Sequence, residues 1–464
     1  MATRRATQAD AIALSAELNG AKVLFGTDIS DDYAHDEMSG VFSAPDVLVR
    51  VKSTEDVCAV MRYASREGVA VVVRGSGTGL VGGAVAVDGG IMLETTAMNR
   101  ILELDEKNMC VTVQSGVLLT DLVEFCESRG FFYPPDPGEK TATIGGNIAT
   151  NAGGMRAVKY GVTRDYVLGL EIVLPGGEVL NTGGKVVKNS SGDSLQDIII
   201  GSEGTLAVVT KAILKLLPAP AVSMSMLAPF ASIDSAIEAV PVLLNGGFAF
   251  TSLEFMERET INFAEEYLSK KFLDTKHPAY LLLTIDGGGE DMVLSACSEA
   301  TEACLAAGAQ DIFLVDTADR KKAVWDARSS FLEAIKASAG EIDECDVVVP
   351  RAEVAAFVKY THELAQQVGL RLPGFGHAGD GNVHIYLCRD GLPADEFHSR
   401  CTRAFDLLYE KAAQMGGLIS GEHGVGYAKR SYFARQHGDT YMSLLRGVKQ
   451  AFDPQGILNP RKVI

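Results

Sequence analysis

Three histidines and one carboxylate, set among glycines in two short stretches, are the residues of this chain best suited to chemistry. The first stretch is Gly374-Phe375-Gly376-His377-Ala378-Gly379-Asp380-Gly381-Asn382-Val383-His384-Ile385-Tyr386-Leu387, and the second is Gly421-Glu422-His423-Gly424. The first reads as strand, tight glycine turn, strand. On that reading His377 and His384 flank the turn and face each other on one side of a hairpin. His384 and Tyr386 share a face, and Ile385 and Leu387 point to the other. Two imidazoles and a carboxylate, here His377, His384 and Glu422, make a donor set for Zn²⁺, Fe²⁺ or Mn²⁺ that leaves positions open for a substrate. Asp380 and Asn382 suit shaping the turn or orienting the ligands. A single histidine beside glycine is more often a hydrogen-bonded core residue. Three of the chain's eight histidines fall in two such stretches, which keeps a metal centre open beside that reading.

A second centre is written in glycines. Arg74-Gly75-Ser76-Gly77-Thr78-Gly79-Leu80-Val81-Gly82-Gly83 follows the apolar run Val69 to Val73, and Gly145-Gly146-Asn147-Ile148-Ala149-Thr150-Asn151-Ala152-Gly153-Gly154 comes about seventy residues later. Backbone without side chains approaches a phosphate closely and aims several N–H groups at it. Two such loops imply a large phosphate-bearing cofactor held along its length. Gly77 to Gly82 also fits GxGxxG, the dinucleotide fingerprint, which counts only where a helix follows. Here Gly83 to Leu93 follows, rich in β-branched residues and glycine, and reads as loop and strand.

The elements that must position these residues come from a chain of 464 residues, enough for two or three domains, and its 47% apolar content supports sizeable cores. A net charge of −18 without a long basic run makes nucleic acid and anionic membrane surfaces poor partners. No run of apolar residues is long enough to span a membrane. Met1-Ala2-Thr3-Arg4-Arg5 is basic but lacks an apolar signal core, and Asp10 and Glu17 argue against a transit peptide. The eight cysteines are scattered without a CxxC pair, which argues against a cluster or thiolate zinc and for buried thiols in a reducing cytoplasm.

In order, residues 7–40 read as a helical lead-in ending in a polar loop, and Val47 to Val51 as a strand. Ser53-Thr54-Glu55-Asp56 caps a helix carrying Val57, Val60, Met61 and Ala64 at helical spacing, ended by Gly68. Strands are expected at Val69 to Val73, Ile91 to Leu93, Cys110 to Val113 and Val167 to Leu174, with a helix from Leu118 to Arg129. Tyr133-Pro134-Pro135-Asp136-Pro137-Gly138 is too rich in proline for either. Pro175-Gly176-Gly177-Glu178 is a hairpin turn, and Gly201 to Thr210 is a glycine loop entering a strand. Pro218-Ala219-Pro220 marks a boundary. Beyond it, Ile233 to Leu244, Glu290 to Ala307 and Val354 to Val368 read as helices, and Ala279 to Ile285 and Asp311 to Val315 as strands. The tail is helical from Asp439 to Phe452. Strands and helices alternating on an antiparallel sheet make an α+β domain.

The order RGSGTGLVGG, YPPDPG, TIGGNIATNAGG, GSEGTLAVVT, HAGDGNVH, SGEHGVG and DPQGILNP, running from about residue 33 to the C-terminus, resembles the vanillyl-alcohol-oxidase-type flavoproteins. Within them it is most similar to the D-lactate, glycolate and D-2-hydroxyglutarate dehydrogenases. The resemblance implies an α+β fold: a two-subdomain PCMH-type FAD-binding domain over 1–220, an α+β cap with an antiparallel sheet over 221–410, and a segment 411–464 returning to the FAD domain. It implies FAD held at Arg74, Gly75, Ser76, Gly77, Thr78 and Gly79 and lined by Pro135, Asp136, Thr143, Gly146, Asn147 and Gly153. Glu203, Gly204 and Val209 complete the pocket, and Asn459 returns from the tail. The family often attaches FAD through a histidine near the first glycine loop. No histidine lies between His35 and His277, so noncovalent FAD is expected. The family's LNPGK ending reads Leu458-Asn459-Pro460-Arg461-Lys462 here, with Arg461 in place of glycine.

The resemblance further implies oxidation of a small D-2-hydroxy acid, D-lactate first, with glycolate and D-2-hydroxyglutarate as alternatives. A metal on the substrate hydroxyl and carboxylate lowers the alcohol pKa, His423 takes the proton, and hydride passes to flavin N5. Trp325-Asp326-Ala327-Arg328 matches the family's tryptophan–arginine pattern, with Arg328 as the fork for the substrate carboxylate. Relatives that take a dicarboxylate bring a hydroxyl and a lysine where this chain has Leu332 and Glu344, which favours a short monocarboxylate. The non-redox, ether-bond-forming transferases of the same fold are the alternative of another class, and the complete HAGDGNVH and GEHGVG pair argues against them. The electrons need a partner, such as an electron-transferring flavoprotein or another electron-accepting subunit. Asp343 to Arg351 resembles the lactate dehydrogenases of anaerobes that work with an electron-transferring flavoprotein.

Overall fold

The computed structural model describes residues 3–18 and 20–464. Met1 and Ala2 of the basic N-terminal stretch, and Asn19 of the lead-in, lie outside the described residues. The chain divides into two units, one of Met1–Ala152, Val162–Ala219 and Glu422–Ile464, the other of Gly153–Gly161 and Pro220–Gly421. One crossing falls inside the second glycine stretch, and another at the proline-rich boundary. The last falls after Gly421 and not at residue 410. The helix Ala394–Gln414 stays with the second unit, burying Leu408, Tyr409 and Ala412.

In the first unit, Lys22–Phe25, Val47–Arg50, Ile91–Glu94 and Val71–Arg74 form a sheet in that order, antiparallel at the first pair and parallel thereafter. The helix Thr54–Glu67 packs on it through Val57, Val60, Met61 and Ala64, all fully buried, as their spacing requires. Ser53 Oγ accepts the Asp56 N–H at 3.2 Å, and Gly68 ends the helix at φ +65°. A second, antiparallel sheet runs in the order Ile101–Asp105, Cys110–Gln114, Val208–Lys215, Val167–Val173 and Val179–Gly183. The tail adds to the first sheet: the Val71 N–H donates to the Ile457 carbonyl at 2.8 Å and the Asn459 N–H to the Val71 carbonyl at 2.7 Å.

The α-helix of the lead-in covers Gln8–Glu17 and gives way to Lys22–Phe25, which pairs with the open edge of Val47–Arg50. Arg4 is bound to the buried carboxylate of Asp10 at 2.7 and 2.9 Å, so this part of the basic start has a structural use. The second glycine stretch corrects its expectation as a loop. Thr143 caps a helix, Ile144–Thr150, that ends at Asn151 in the left-handed region. The tail helix is also longer than expected, Arg430–Phe452, and is broken at Gly438 (φ +74°).

The second unit is built on an antiparallel sheet in the order Phe313–Val315, Val222–Phe230, Ala279–Gly287, Phe250–Glu257, Gly374–His377, Asn382–Cys388 and Ile342–Val348. Met256, Tyr280, Leu282, Phe375 and Tyr386 on one face pack against the helices Arg258–Leu268, Ala318–Ser329 and Phe331–Ser338. The helices Ile233–Asn245, Glu290–Ala306, Val354–Val368 and Ala394–Gln414 complete the unit. Covered strands lose the alternation that marks a half-exposed one, which hid Phe250–Glu257 in the sequence.

Among the described residues, no helix is long and apolar enough to cross a membrane. Each of the eight cysteines is a buried free thiol. Replacing Ser53 by Ala removes the cap of the principal helix of the first unit. It is expected to lower stability by about 1 kcal/mol, read as a fall in the thermal midpoint.

Candidate functional site

The period of two along a strand gathers the chemistry of the second unit on one face. Tyr386 and Phe375 face the helix layer, so His384 and His377, two residues from each, face it too. The two imidazoles meet edge to face with ring centroids 5.4 Å apart, as the hairpin reading requires. On the neighbouring strand Glu344 lies opposite Tyr386, and Asp346 opposite His384. Arg328 reaches the same face from the helix Ala318–Ser329, its guanidinium 4.6 Å from the Phe375 ring centroid.

Two residues that bind this cluster together were not legible as motifs. The first is Glu254, fully buried on the strand Phe250–Glu257. Its carboxylate oxygens lie 2.8 Å from His377 Nδ1, and it also takes Arg328 through Nε at 3.1 Å and through Nη2. Burial works against its charge, yet His377 and Arg328 together hold its pKa below the ordinary carboxylate value. The Arg328 fork is thus engaged by a protein carboxylate. The one sequence signal was an acid flanked by Leu253, Phe255 and Met256.

The second is Asp346, also fully buried. It accepts from Asn382 Nδ2 at 2.7 Å, Ser420 Oγ at 2.8 Å and the Gly421 N–H at 3.0 Å. It stands 3.7 Å from His384 Nδ1, as does a Glu344 oxygen. Asp346 therefore anchors the last residues of the unit, directly before Glu422 in the chain. Asp380 accepts the Asn382 N–H at 3.1 Å and so shapes the glycine turn. Trp325 Nε1 donates to Ser225 Oγ at 3.3 Å, and Leu332 packs against the apolar cluster.

In the first unit the glycine stretches meet one another. A Cβ on Gly75 would lie 2.2 Å from Thr143 Oγ1, the cap of the second stretch's helix. The Gly201 and Glu203 N–H groups donate to the Ile148 and Ala149 carbonyls at 3.0 and 2.8 Å. Asn459 Nδ2 ties the tail in, donating to the carbonyls of Glu203 at 2.8 Å and Gly83 at 3.1 Å. The chain from 75 to 90 is irregular, so the dinucleotide fingerprint lacks its helix. Ser115 Oγ, Tyr133 Oη, Asn147 Nδ2 and Asn459 Oδ1 are buried with no hydrogen-bond partner in the protein. A closely approachable backbone beside such polar atoms fits a long polar cofactor such as FAD.

Other expected cofactor residues divide. Ser76, Thr78 and Gly79 follow Gly75 in the irregular loop, with Gly146 in the helix and Gly204 at φ +68°. Pro135 and Asp136 are buried, the latter paired with Lys140. Val209 lies at a register shift of its strand. Gly153 belongs to the second unit. The Arg74 side chain is engaged within the protein. It donates to the carbonyls of His35 at 2.7 Å and Asp32 at 3.0 Å and lies beneath Gly77 (φ +81°), where a Cβ would sit 2.0 Å from Nη2.

Glu203 holds a loop of the tail. Its buried carboxylate accepts the Val425 N–H at 2.7 Å and the Gly426 N–H at 2.8 Å, holding the loop that begins with Glu422 and His423. Within that loop His423 Nε2 is 3.9 Å from Glu422 Oε1. Arg461, where the family has glycine, adopts φ +61°, the left-handed region glycine takes freely, and pairs with Asp88 at 2.8 Å. Burial pushes the Glu203 pKa up to about 7 against the pull of its N–H donors. It pushes that of Asp36, beside Arg74, up to about 6.

An alanine at 77 meets both a strained φ and the Arg74 guanidinium. Gly77→Ala is expected to lower the flavin-to-protein absorbance ratio at least severalfold. For Glu203 and Asp36 the unfolded chain releases its proton near pH 4, earlier than the folded protein. Between about pH 4 and 7 the unfolded state therefore binds fewer protons, and stability falls as pH rises. Glu203→Gln should make that fall shallower, measured as the thermal midpoint of flavin-free protein at both ends of the window.

Comparison with known proteins finds two family models along the chain. The family model described as "FAD binding domain" matches residues 45–183, and that described as "FAD linked oxidases, C-terminal domain" matches residues 219–463. The chain is 46% identical to "D-lactate dehydrogenase" of Anaerostipes hadrus, covering 96% of this chain and 95% of that one. It is 40% identical to "Glycolate oxidase subunit GlcD" of Bacillus subtilis (strain 168), covering 93% and 91%. The structure of p-cresol methylhydroxylase with substrate bound superimposes with a TM-score of 0.81 at 18% identity, over 98% of this chain and 97% of that one, and so shares the fold. The chain belongs to the FAD-linked oxidase family and is an FAD-dependent oxidoreductase.

Proposed function

We propose that the protein oxidises a small D-2-hydroxy acid, D-lactate first, to the 2-oxo acid. The observation that carries this reading is the gathering of His377, His384 and Arg328 on one sheet face, with Glu254 holding two of them. The relative named D-lactate dehydrogenase, alike over nearly the whole chain, supports it. When bound, FAD accepts the hydride, and a divalent cation lowers the pKa of the substrate alcohol.

The chain's own residues supply the rest. His377 and His384 offer imidazole nitrogens, and Glu422, one peptide bond beyond the anchored Gly421, offers a carboxylate; this donor set suits Zn²⁺, Fe²⁺ or Mn²⁺. With Nδ1 donating to Glu254, His377 would hold the ion through Nε2. A guanidinium has five donors and Glu254 takes two, so Arg328 keeps three with which to orient the substrate carboxylate. His423 accepts the hydroxyl proton. Glu344, beside His384, repels a second carboxylate, which favours D-lactate or glycolate over D-2-hydroxyglutarate.

FAD is held noncovalently in this reading, since the His35 ring packs on Phe42 and its Nδ1 is engaged by the Asp36 carbonyl. The electrons pass to an electron-transferring flavoprotein or another electron-accepting subunit, a step supported by the resemblance of Asp343 to Arg351. The buried thiols suit a reducing cytoplasm.

Anaerobic D-lactate is expected to bleach the visible flavin absorbance, with kcat/KM falling from D-lactate to glycolate to D-2-hydroxyglutarate. His423→Ala should lower kcat by about 10²–10⁴ with flavin content unchanged. Failure of every 2-hydroxy acid to bleach the flavin, with divalent metal present, would refute the proposal.

A further inference from the structure

Glu254 is an expensive residue to keep where it is. An ionised carboxylate in a fully buried position loses several kcal/mol of solvation unless paired and hydrogen-bonded. A structural ion pair would meet that need with one cation. Here one carboxylate is divided between two groups of different chemistry, an arginine on a helix and a histidine on the adjacent strand. Because a carboxylate only accepts, its 2.8 Å contact with His377 assigns the ring proton to Nδ1. The same contact sets the ring's orientation. On the Arg328 side, the contacts from Nε and Nη2 fix the guanidinium plane, which also lies against Phe375 and Phe331. The strand fixes Glu254 itself, with Leu282 as its register partner.

We propose that Glu254 is a positioning residue that sets the tautomer of His377 and the direction of Arg328 together, so that metal affinity and substrate-carboxylate binding depend on one side chain. This deepens, and rests on, the reading of His377 as a metal ligand and Arg328 as the substrate fork. An amide at 254 keeps the volume but carries no charge, offers one acceptor oxygen in place of two and adds a donor, so it holds the two partners less firmly. An aspartate keeps the charge on a shorter stem.

The test compares wild-type, Glu254→Gln and Glu254→Asp holoenzymes, each stripped of metal with its flavin retained and then titrated with Zn²⁺ and Mn²⁺. For Glu254→Gln the expected result is stoichiometric flavin, metal affinity at least tenfold weaker, and KM for D-lactate raised at least tenfold. Glu254→Asp should recover part of both. A merely structural role would instead lower flavin content and thermal midpoint together, with metal affinity per folded molecule unchanged, and would overturn the inference. So would metal affinity and KM within twofold of wild type. Should Glu254→Gln not fold, Arg328→Met carries the test. It removes no proposed metal ligand, yet weaker Zn²⁺ binding is expected because Glu254 loses its second partner, and unchanged Zn²⁺ affinity overturns the inference. A wild-type protein that neither takes up metal nor oxidises D-lactate sinks the underlying reading. A wild type that does both, beside a Glu254→Gln that does both equally, sinks this inference alone.

Discussion

A carboxylate taken out of water must be paired and hydrogen-bonded or it takes up a proton, and the chemistry-bearing parts of both units depend on how that demand is met. Glu254 meets it with Arg328 and His377. Asp346 meets it with Asn382, Ser420 and the backbone of Gly421. Glu203 meets it less completely, with two backbone N–H groups, and its pKa stands near 7 in consequence. Each of these acids comes from a strand or tight loop and grips a segment distant in the chain. Removing one partner leaves the acid exposed to the full cost of burial.

The loop carrying Glu422 and His423 illustrates the result. The residues before it are tied to Asp346 within the second unit, and those after it to Glu203 within the first. Neither end is left to loop propensity. Each of these two carboxylates holds its segment within its own unit. In the proposed reaction Glu422 and His423 are a metal ligand and the proton acceptor, groups that lose rate when displaced by an ångström.

Family membership and the geometry address different questions. The family models and the p-cresol methylhydroxylase fold concern the flavin half and the architecture. In the proposed function, substrate choice rests on side chains such as Glu344, Leu332 and Arg328 in the second unit, with Glu344 standing 3.7 Å from His384 Nδ1.

Much was legible in the sequence. Helical spacing found Val57, Val60, Met61 and Ala64, and strand alternation put His377 and His384 on one face of a hairpin, since both periodicities are local properties of the backbone. The missing helix after GxGxxG was legible in the same way. The helix at Ile144–Thr150 was not, because paired glycines oppose helix formation until Thr143 caps it and Gly201 and Glu203 satisfy its last carbonyls. Nor were Glu254 and Asp346, whose partners lie between 36 and 123 residues away. By itself the sequence determined which residue types are present and which faces they take along each element. Only the tertiary structure decided which buried acid holds which base, because the cost of burying a charge is settled by partners the local chain does not contain.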